Sequence, residues 1–429
     1  MTAGRLSALL AAVGLPAAGA AQAVPRLERI EVISSIWFHA RQNYVHWDRV
    51  VADWDSAYRA TIEAADRGGS DVAFHDQLSR FTALLNSGDV QVTPPSGIQR
   101  RLGRPPIRLR LVEGRPIVVQ VQPTAEMRIA GVVPGDEITE VRAMPVNRWL
   151  RDSVLPTIAA SSESAREAVA VEEMLTGERN TAIQITLRGP NGTPRGASLT
   201  RSVAAENRLV PAELRDGIAV RDSAGVRVIA LGALDRERVL RELAQALRRD
   251  PTPTGVVLDL RDTEGGNRDV ALQLVSLLFA GPVEAPRIRH RIYWPLRAAE
   301  AWTWHVTAPD TVTPAAGVYG GPIVLVTSPR TAGASELFAV IVRLTRRGTI
   351  VGATTAGASA PTVSLELPAG WLLAIPVGIE VAADGSEVAA LGVEPDERAR
   401  QTIDDQRAGY DAALERAFQL LSAAEPARP

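Results

Sequence analysis

Two stretches hold residue types whose spacing suits the handling of an acyl group. In the first, Gly265-Gly266-Asn267 follows the apolar run at 255–260; in the second, Thr331-Ala332-Gly333-Ala334-Ser335-Glu336-Leu337-Phe338 follows a run ending in Val326-Thr327-Ser328. Each pattern reads as a strand-to-helix junction. The start of a helix carries unpaired backbone N–H donors and the positive end of the dipole, which together stabilise a developing oxyanion. Glycine at such a junction lets a substrate backbone come close. By itself the Gly265-Gly266 pair reads as structural punctuation, since Gly turns join many strands to helices. The nearby hydroxyls are Thr331 and Ser335, and neither has a base beside it in the sequence. Ser335 sits two residues beyond Gly333, about 200° further round a helix, so it should point away from whatever Gly333 faces.

Composition removes several other chemistries. The 429 residues are 46% hydrophobic and 22% charged, an ordinary globular balance that predicts two or three domains. There is no Cys, which excludes disulfides, thiol nucleophiles, zinc–thiolate sites and thiolate-held iron–sulfur clusters. All 47 basic residues are Arg, so no Lys amine is available either. A net charge of −2 provides no basic field for nucleic acid or an anionic membrane. The five His (His39, His46, His75, His290, His305) are scattered singly and are expected at the surface or in packing. Neither a cofactor nor a metal is expected.

The elements that would position the two junctions can be read along the chain. Residues 1–23 combine Arg5, an apolar run from Leu6 to Ala21 and Ala21-Gln22-Ala23, the pattern of a cleaved signal peptide. That predicts export, to the periplasm or the medium, with no membrane span after cleavage, since no later apolar run is long enough. Residues 24–95 read as a helical cap. Leu27, Ile30, Ile33 and Trp37 recur at helical steps, as do Trp47, Val51, Trp54 and Tyr58, and Ser70 or Asp71 caps a third helix. Pro94-Pro95 and Pro105-Pro106 mark a boundary. Residues 96–205 read as a β-rich unit: a hairpin turning at Glu113-Gly114, a Pro134-Gly135-Asp136 turn into a strand, a helix near 163–176 and a strand at 182–188. The Pro-Gly-Asp phrase resembles that of PDZ domains, which capture peptide ends as an added strand.

From residue 206 to 429 the texture becomes alternating strands and amphipathic helices, an α/β layer fold. Strands are predicted at 226–231, 255–260, 322–327 and 350–351. Helices are predicted after a cap at Asp235, at 270–279, at 335–344 and at 410–421. Arg287, Arg289 and Arg291 alternate like the solvated face of a strand. Trp294, Trp302 and Trp304 lie between the two junctions and are expected to pack over the core.

Taken in order, Leu258-Asp259-Leu260-Arg261 with Gly265-Gly266-Asn267, the stretch 331–338, Val351-Gly352 with Thr355-Ala356-Gly357, and Gly392-Val393-Glu394-Pro395-Asp396 resemble the tail-specific, carboxyl-terminal-processing serine peptidase family, which includes the tricorn core. Trp54-Asp55 and residues 84–92 resemble that family's helical segment. The resemblance implies a crotonase/Clp-protease-like core with an amino-terminal helical cap and a PDZ-like domain. It also implies substrates that are unfolded or carboxyl-terminal peptide segments.

Carried over residue by residue, the resemblance fails at the chemistry. The family's nucleophilic Ser position is Gly333 here, its Lys position is Ala358, 25 residues further on, and the His position of tricorn-type members is Gln91. Glycine has no nucleophile, alanine no base, and glutamine accepts no proton near neutral pH. What remains is an oxyanion hole built from the N–H groups of Ala334 and of Gly265 or Gly266, and a binding surface. The leading expectation is an exported peptide-binding homologue with little or no proteolysis. The alternatives are an active serine endopeptidase with a relocated nucleophile, Ser335 or Thr331, and a carrier of small apolar ligands, supported only by the Trp-rich segment. The pentapeptide Thr-Ala-Gly-Ala-Ser at 331–335 recurs at 355–359, which reads as coincidence in an Ala-rich chain.

Overall fold

The computed structural model describes residues 24–207, 209–210, 214, 217–234, 237–293 and 302–423. The signal-peptide reading of 1–23, the Asp235 cap and Trp294 lie outside the described residues.

Three helices open the described chain: α1 (Arg26–Asn43), α2 (Trp54–Asp66) and α3 (Asp71–Ala83). Local chemistry sets where they start. The Asp53 carboxylate accepts the N–H groups of Asp55 and Ser56 at the head of α2, and the Ser70 hydroxyl accepts that of Ala73 at the head of α3. The predicted second helix began too early. Residues Trp47–Arg49 form a single 3-10 turn and Val51 is 92% exposed. Trp47 has helical spacing to Trp54 because its ring meets Trp54 and Tyr44 edge-on, not because the backbone between them is helical.

These helices do not bury their apolar faces alone. Ile33, Ile36, Phe74, Leu78 and Phe81 share one core cluster with Trp371, Leu373 and Ile375 from far along the chain. The link is a three-stranded sheet in which β1 (Gln91–Thr93) pairs antiparallel with a late strand at Leu372–Pro376, and that strand pairs with Thr362–Glu366.

The PDZ-like unit is an antiparallel sheet of β2 (Ile107–Val112), β3 (Arg115–Val121), β4 (Glu137–Val141), β5 (Ala182–Arg188) and β6 (Pro194–Thr200), with α4 (Glu163–Glu173) across it. The hairpin turns where expected: Glu113 and Gly114 both have positive φ, 51° and 73°, as a two-residue turn between twisted strands requires. In the Pro134-Gly135-Asp136 turn the fully buried Asp136 carboxylate accepts the N–H of Val133 at 2.9 Å and pairs with Arg195.

The α/β core is a six-stranded sheet ordered β7 (Ile218–Ser223), β8 (Val226–Leu231), β9 (Gly255–Asp259), β12 (Ile323–Thr327), β13 (Thr349–Gly352) and β17 (Glu397–Arg398). Only the β7–β8 pair is antiparallel. Between β9 and β12 run β10 (Arg287–Tyr293) and β11 (Trp302–Val306), and after β13 come β14 (Thr362–Glu366), β15 (Leu372–Pro376) and β16 (Gly378–Val381). Helices α5 (Glu237–Arg248), α6 (Arg268–Ser276) and α7 (Ala334–Thr345) cover one face, with Leu243, Leu274 and Phe338 in its cluster, and α8 (Ala412–Ala423) covers the other through Leu414 and Ala417. Parallel strands buried on both faces explain why β8, β9 and β12 read as near-continuous Val, Ile and Leu. Loops at the carboxyl ends of β9 and β12 lead into α6 and α7, and so the topology brings both glycine junctions to the same edge of the sheet.

The alternating arginines behave differently from a plain solvated face. Arg289 pairs with Glu387 at 2.7 Å, and the exposed Trp304 ring lies 5.4 and 5.1 Å from the Arg289 and Arg291 guanidinium carbons. Trp304 is therefore a surface stacking partner and does not pack over the core as expected. His290 and His305 meet across β10 and β11, with ring centroids 5.1 Å apart, although 15 positions separate them in sequence.

Candidate functional site

Six of the seven proposed site positions line a single cleft of about 1390 Å³: Gln91, Gly265, Gly266, Gly333, Ala334 and Ala358. It runs between the helical cap, the PDZ-like unit and the edge of the core sheet. Ser335 does not line it.

Gly333 immediately precedes α7 with φ 63° and ψ −129°, a conformation that residues with a Cβ rarely adopt. Its carbonyl accepts the N–H groups of Glu336 and Leu337 and so starts the helix, while its own N–H donates to the Ala358 carbonyl at 2.6 Å. A Cβ placed on Gly333 would lie 2.8 Å from the Gly265 Cα and 3.0 Å from the Gly265 oxygen. The Gly265 backbone thus occupies the space a nucleophilic side chain would need. The expectation that Ala334 offers a free oxyanion donor meets the same obstacle, because its N–H already donates to the Gly265 carbonyl at 3.2 Å. The N–H groups of Gly265 and Gly266 have no protein acceptor among the described residues.

The two hydroxyls considered as substitutes are committed elsewhere. Ser335 is fully buried and its Oγ lies 2.9 Å from the carbonyl oxygens of both Thr263 and Ala332. Thr331 is fully buried too, and its hydroxyl donates to the Leu260 carbonyl at 2.8 Å. Among the described residues no base is hydrogen-bonded to either. Gln91 is exposed on β1, opposite Ala374. The Gly88 backbone packs so closely on Ala358 that a Cβ on Gly88 would fall 2.9 Å from the Ala358 methyl.

The repeated pentapeptide has a structural role. The two copies lie against each other, joined by Ala356 N–H to Thr331 carbonyl at 3.0 Å and Gly333 N–H to Ala358 carbonyl. Behind them sits Glu336, fully buried, whose carboxylate accepts the N–H groups of Gly357 and Ala358, each at 2.7 Å, and also the Thr355 hydroxyl. Burial pushes Glu336 up to about 7, against the pull of those three donors. Asp89 is raised well above the carboxylate range, first by burial and then by the charge of Glu336. Sequence reasoning passed over both carboxyls. Glu336 served only as a landmark of the motif, and the apolar run after it was the available sign that it is buried.

Ion pairs tie the PDZ-like unit to the glycine junctions. Arg108 and Arg110 on β2 converge on Asp262, holding that carboxyl well below its usual range against a burial effect of opposite sign. Buried Arg330, next to Thr331, pairs with Glu172 of α4 at 2.7 Å and with Glu264, the neighbour of Gly265. One guanidinium thus bridges both junction loops and α4.

Residues 225–399, the span that contains this sheet and both junctions, match the peptidase family S41. The chain carries a peptidase family S41 domain. The S41 domain and the units around it share the fold of solved relatives over nearly their whole length. Mature CPAF complexed with lactacystin is 15% identical with a TM-score of 0.71, over 92% of this chain and 98% of that one. A serine-to-alanine mutant of CPAF is 14% identical with a TM-score of 0.73, over 93% and 98%. The photosystem II D1 C-terminal processing protease is 16% identical with a TM-score of 0.51, over 92% and 97%. No curated protein matches the chain. Among the described residues no helix is long and apolar enough to cross a membrane, and no group of acidic and His side chains is placed to hold a metal ion.

Proposed function

We propose that this S41-type chain binds unstructured or carboxyl-terminal peptide segments in its cleft and performs little or no proteolysis. The observation that carries the reading is the state of position 333: a glycine with φ 63°, with the Gly265 backbone where a side chain would sit and the Gly265 carbonyl on the Ala334 N–H. Catalysis by a serine-type route needs a nucleophile, a base and a free oxyanion donor together. Position 333 lacks the first, Ala358 and Gln91 lack the second, and one of the donors is occupied.

Peptide binding asks less of the site. A cleft of about 1390 Å³ bordered by strand β1 and by the PDZ-like unit suits an extended chain, and the family of the core domain acts on polypeptide. In this reading the helical cap spans 24–95, the PDZ-like unit 96–205 and the peptidase-like core 206–429. The leader at 1–23 directs the chain to the periplasm or the medium.

The test is incubation of the purified protein with unstructured polypeptides, beside a Ser335→Ala control, followed by mass spectrometry and by labelling with a fluorophosphonate probe. Saturable binding with intact polypeptide and no labelled Ser or Thr is the expected result. Cleavage abolished by Ser335→Ala would sink the proposal in favour of a relocated nucleophile.

A further inference from the structure

Six arginines are buried among the described residues, and five of them face a carboxylate: Arg29 with Asp71, Arg104 with Glu173, Arg108 with Asp262, Arg227 with Asp222, and Arg330 with Glu172 and Glu264. The sixth, Arg201, has no acid partner among the described residues. A buried cation without a counter-charge is costly, and a chain that pairs the other five leaves this one open on the wall of the cleft.

Arg201 follows β6 and is held rigidly. Its Nε donates to the Leu175 carbonyl at 2.8 Å and its Nη1 to the Thr181 hydroxyl at 2.9 Å. The guanidinium packs so closely on Gly177 that a Cβ there would lie 2.9 to 3.2 Å from its atoms. Nη2 has no hydrogen bond to any of the described residues. A second unpaired cation stands close by. Arg142, in the turn after β4, lines the same cleft, lies over the Trp149 ring at 5.6 Å and makes no ion pair with a described residue. Burial, and after it the charge of Arg142, lowers the Arg201 guanidinium from its ordinary value, and no carboxylate opposes the shift. The nearby acids are engaged elsewhere, Glu173 by Arg104 and Glu178 by Arg101, and Glu206 forms no ion pair with either arginine.

We propose that Arg142 and Arg201 form a carboxylate-binding subsite of the cleft, which receives an acidic group of the bound peptide, either its chain end or an acidic side chain. Fixed guanidinium groups suit the planar, bidentate geometry of a carboxylate. The subsite rests on the peptide-binding reading above and adds to it what the peptide must present.

The experiment measures fluorescence anisotropy with three labelled, unstructured peptides of otherwise neutral sequence: one with a free carboxyl end, one amidated, and one amidated with a terminal glutamate. At least one carboxylate-bearing peptide should bind about tenfold or more tighter than the neutral amide, the scale of a charge-assisted hydrogen bond. Which of the two does so identifies the source of the carboxylate. Arg142→Gln, at an exposed position, and Arg201→Met should each abolish that preference while leaving the neutral amide's affinity unchanged; if Arg201→Met does not fold, Arg142→Gln decides. Equal binding of all three peptides, or a preference that survives Arg142→Gln, overturns the subsite and leaves peptide binding standing. No binding by any of the three overturns both.

Discussion

Replacing Gly333 with serine restores the family's nucleophile on paper, and the geometry predicts a damaged protein, not a peptidase. The position has φ 63°, where a Cβ costs about 1–2 kcal/mol in an L-residue. The new Cβ would also meet the Gly265 Cα at 2.8 Å and its carbonyl carbon at 2.9 Å, backbone atoms that cannot rotate away. Forcing that contact adds a further penalty of about 1–3 kcal/mol. The expected loss for Gly333→Ser is therefore about 2–5 kcal/mol. Gly333→Ala should lose the same within about 0.5 kcal/mol, because the penalty comes from the Cβ. Both are read from urea denaturation midpoints against the parent. The introduced hydroxyl has no base, since Ala358 and Gln91 supply none and Glu336 is fully engaged by three donors. A fluorophosphonate probe followed by intact-mass analysis should find no adduct. A Gly333→Ser protein as stable as its parent, or one that takes up the probe at position 333, would refute the reasoning about the Gly265 contact.

Two further perturbations probe what holds the junctions together. Glu336 is raised to about 7 in the folded protein from an ordinary value near 4.5, so the fold binds its proton more tightly than the unfolded chain does. That contribution is complete below about pH 4.5 and is lost as pH rises through about 7, on the order of 3 kcal/mol. Denaturation midpoints across that window should fall in the parent and much less in Glu336→Gln; parallel curves would contradict the assignment. Arg330→Met strands the buried Glu172 carboxylate and removes the tie to Glu264, so about 3–5 kcal/mol of stability should disappear and peptide affinity should drop with it. A variant that loses neither would show that the arginine bridge does not hold the two junctions.

The regular part of the molecule was legible because its signals are local or periodic. The runs that became β8, β9 and β12 are nearly all apolar because both of their faces are covered, and Glu113-Gly114 announced its turn through residue types that tolerate positive φ. Trp47 and Val51 misled for a physical reason. The Trp47 and Trp54 rings meet edge-on across a bend at the same seven-residue interval that a helix produces, and only the Asp53 carboxylate on the N–H groups of Asp55 and Ser56 marks the true start of α2. His290 and His305 looked isolated because strand register, which brings them together, is not written in their spacing.

The site divides in the same way between what composition can show and what geometry adds. Missing groups are visible in the letters: no Lys anywhere, Gly at 333, Ala at 358 and Gln at 91 need no coordinates. Where the remaining groups point is not visible. Whether the Ala334 N–H faces substrate or the Gly265 carbonyl depends on the backbone angles of three glycines, at φ 67°, 112° and 63°, and glycine's freedom is what makes those angles unreadable from sequence. The absence of a side chain at position 333, which leaves the site without a nucleophile, also leaves the space that the Gly265 backbone fills. Once that contact exists, restoring the hydroxyl alone no longer restores the site, because the neighbouring loop must also withdraw. The Arg330 bridge, which holds Glu264 beside that loop, opposes such a withdrawal.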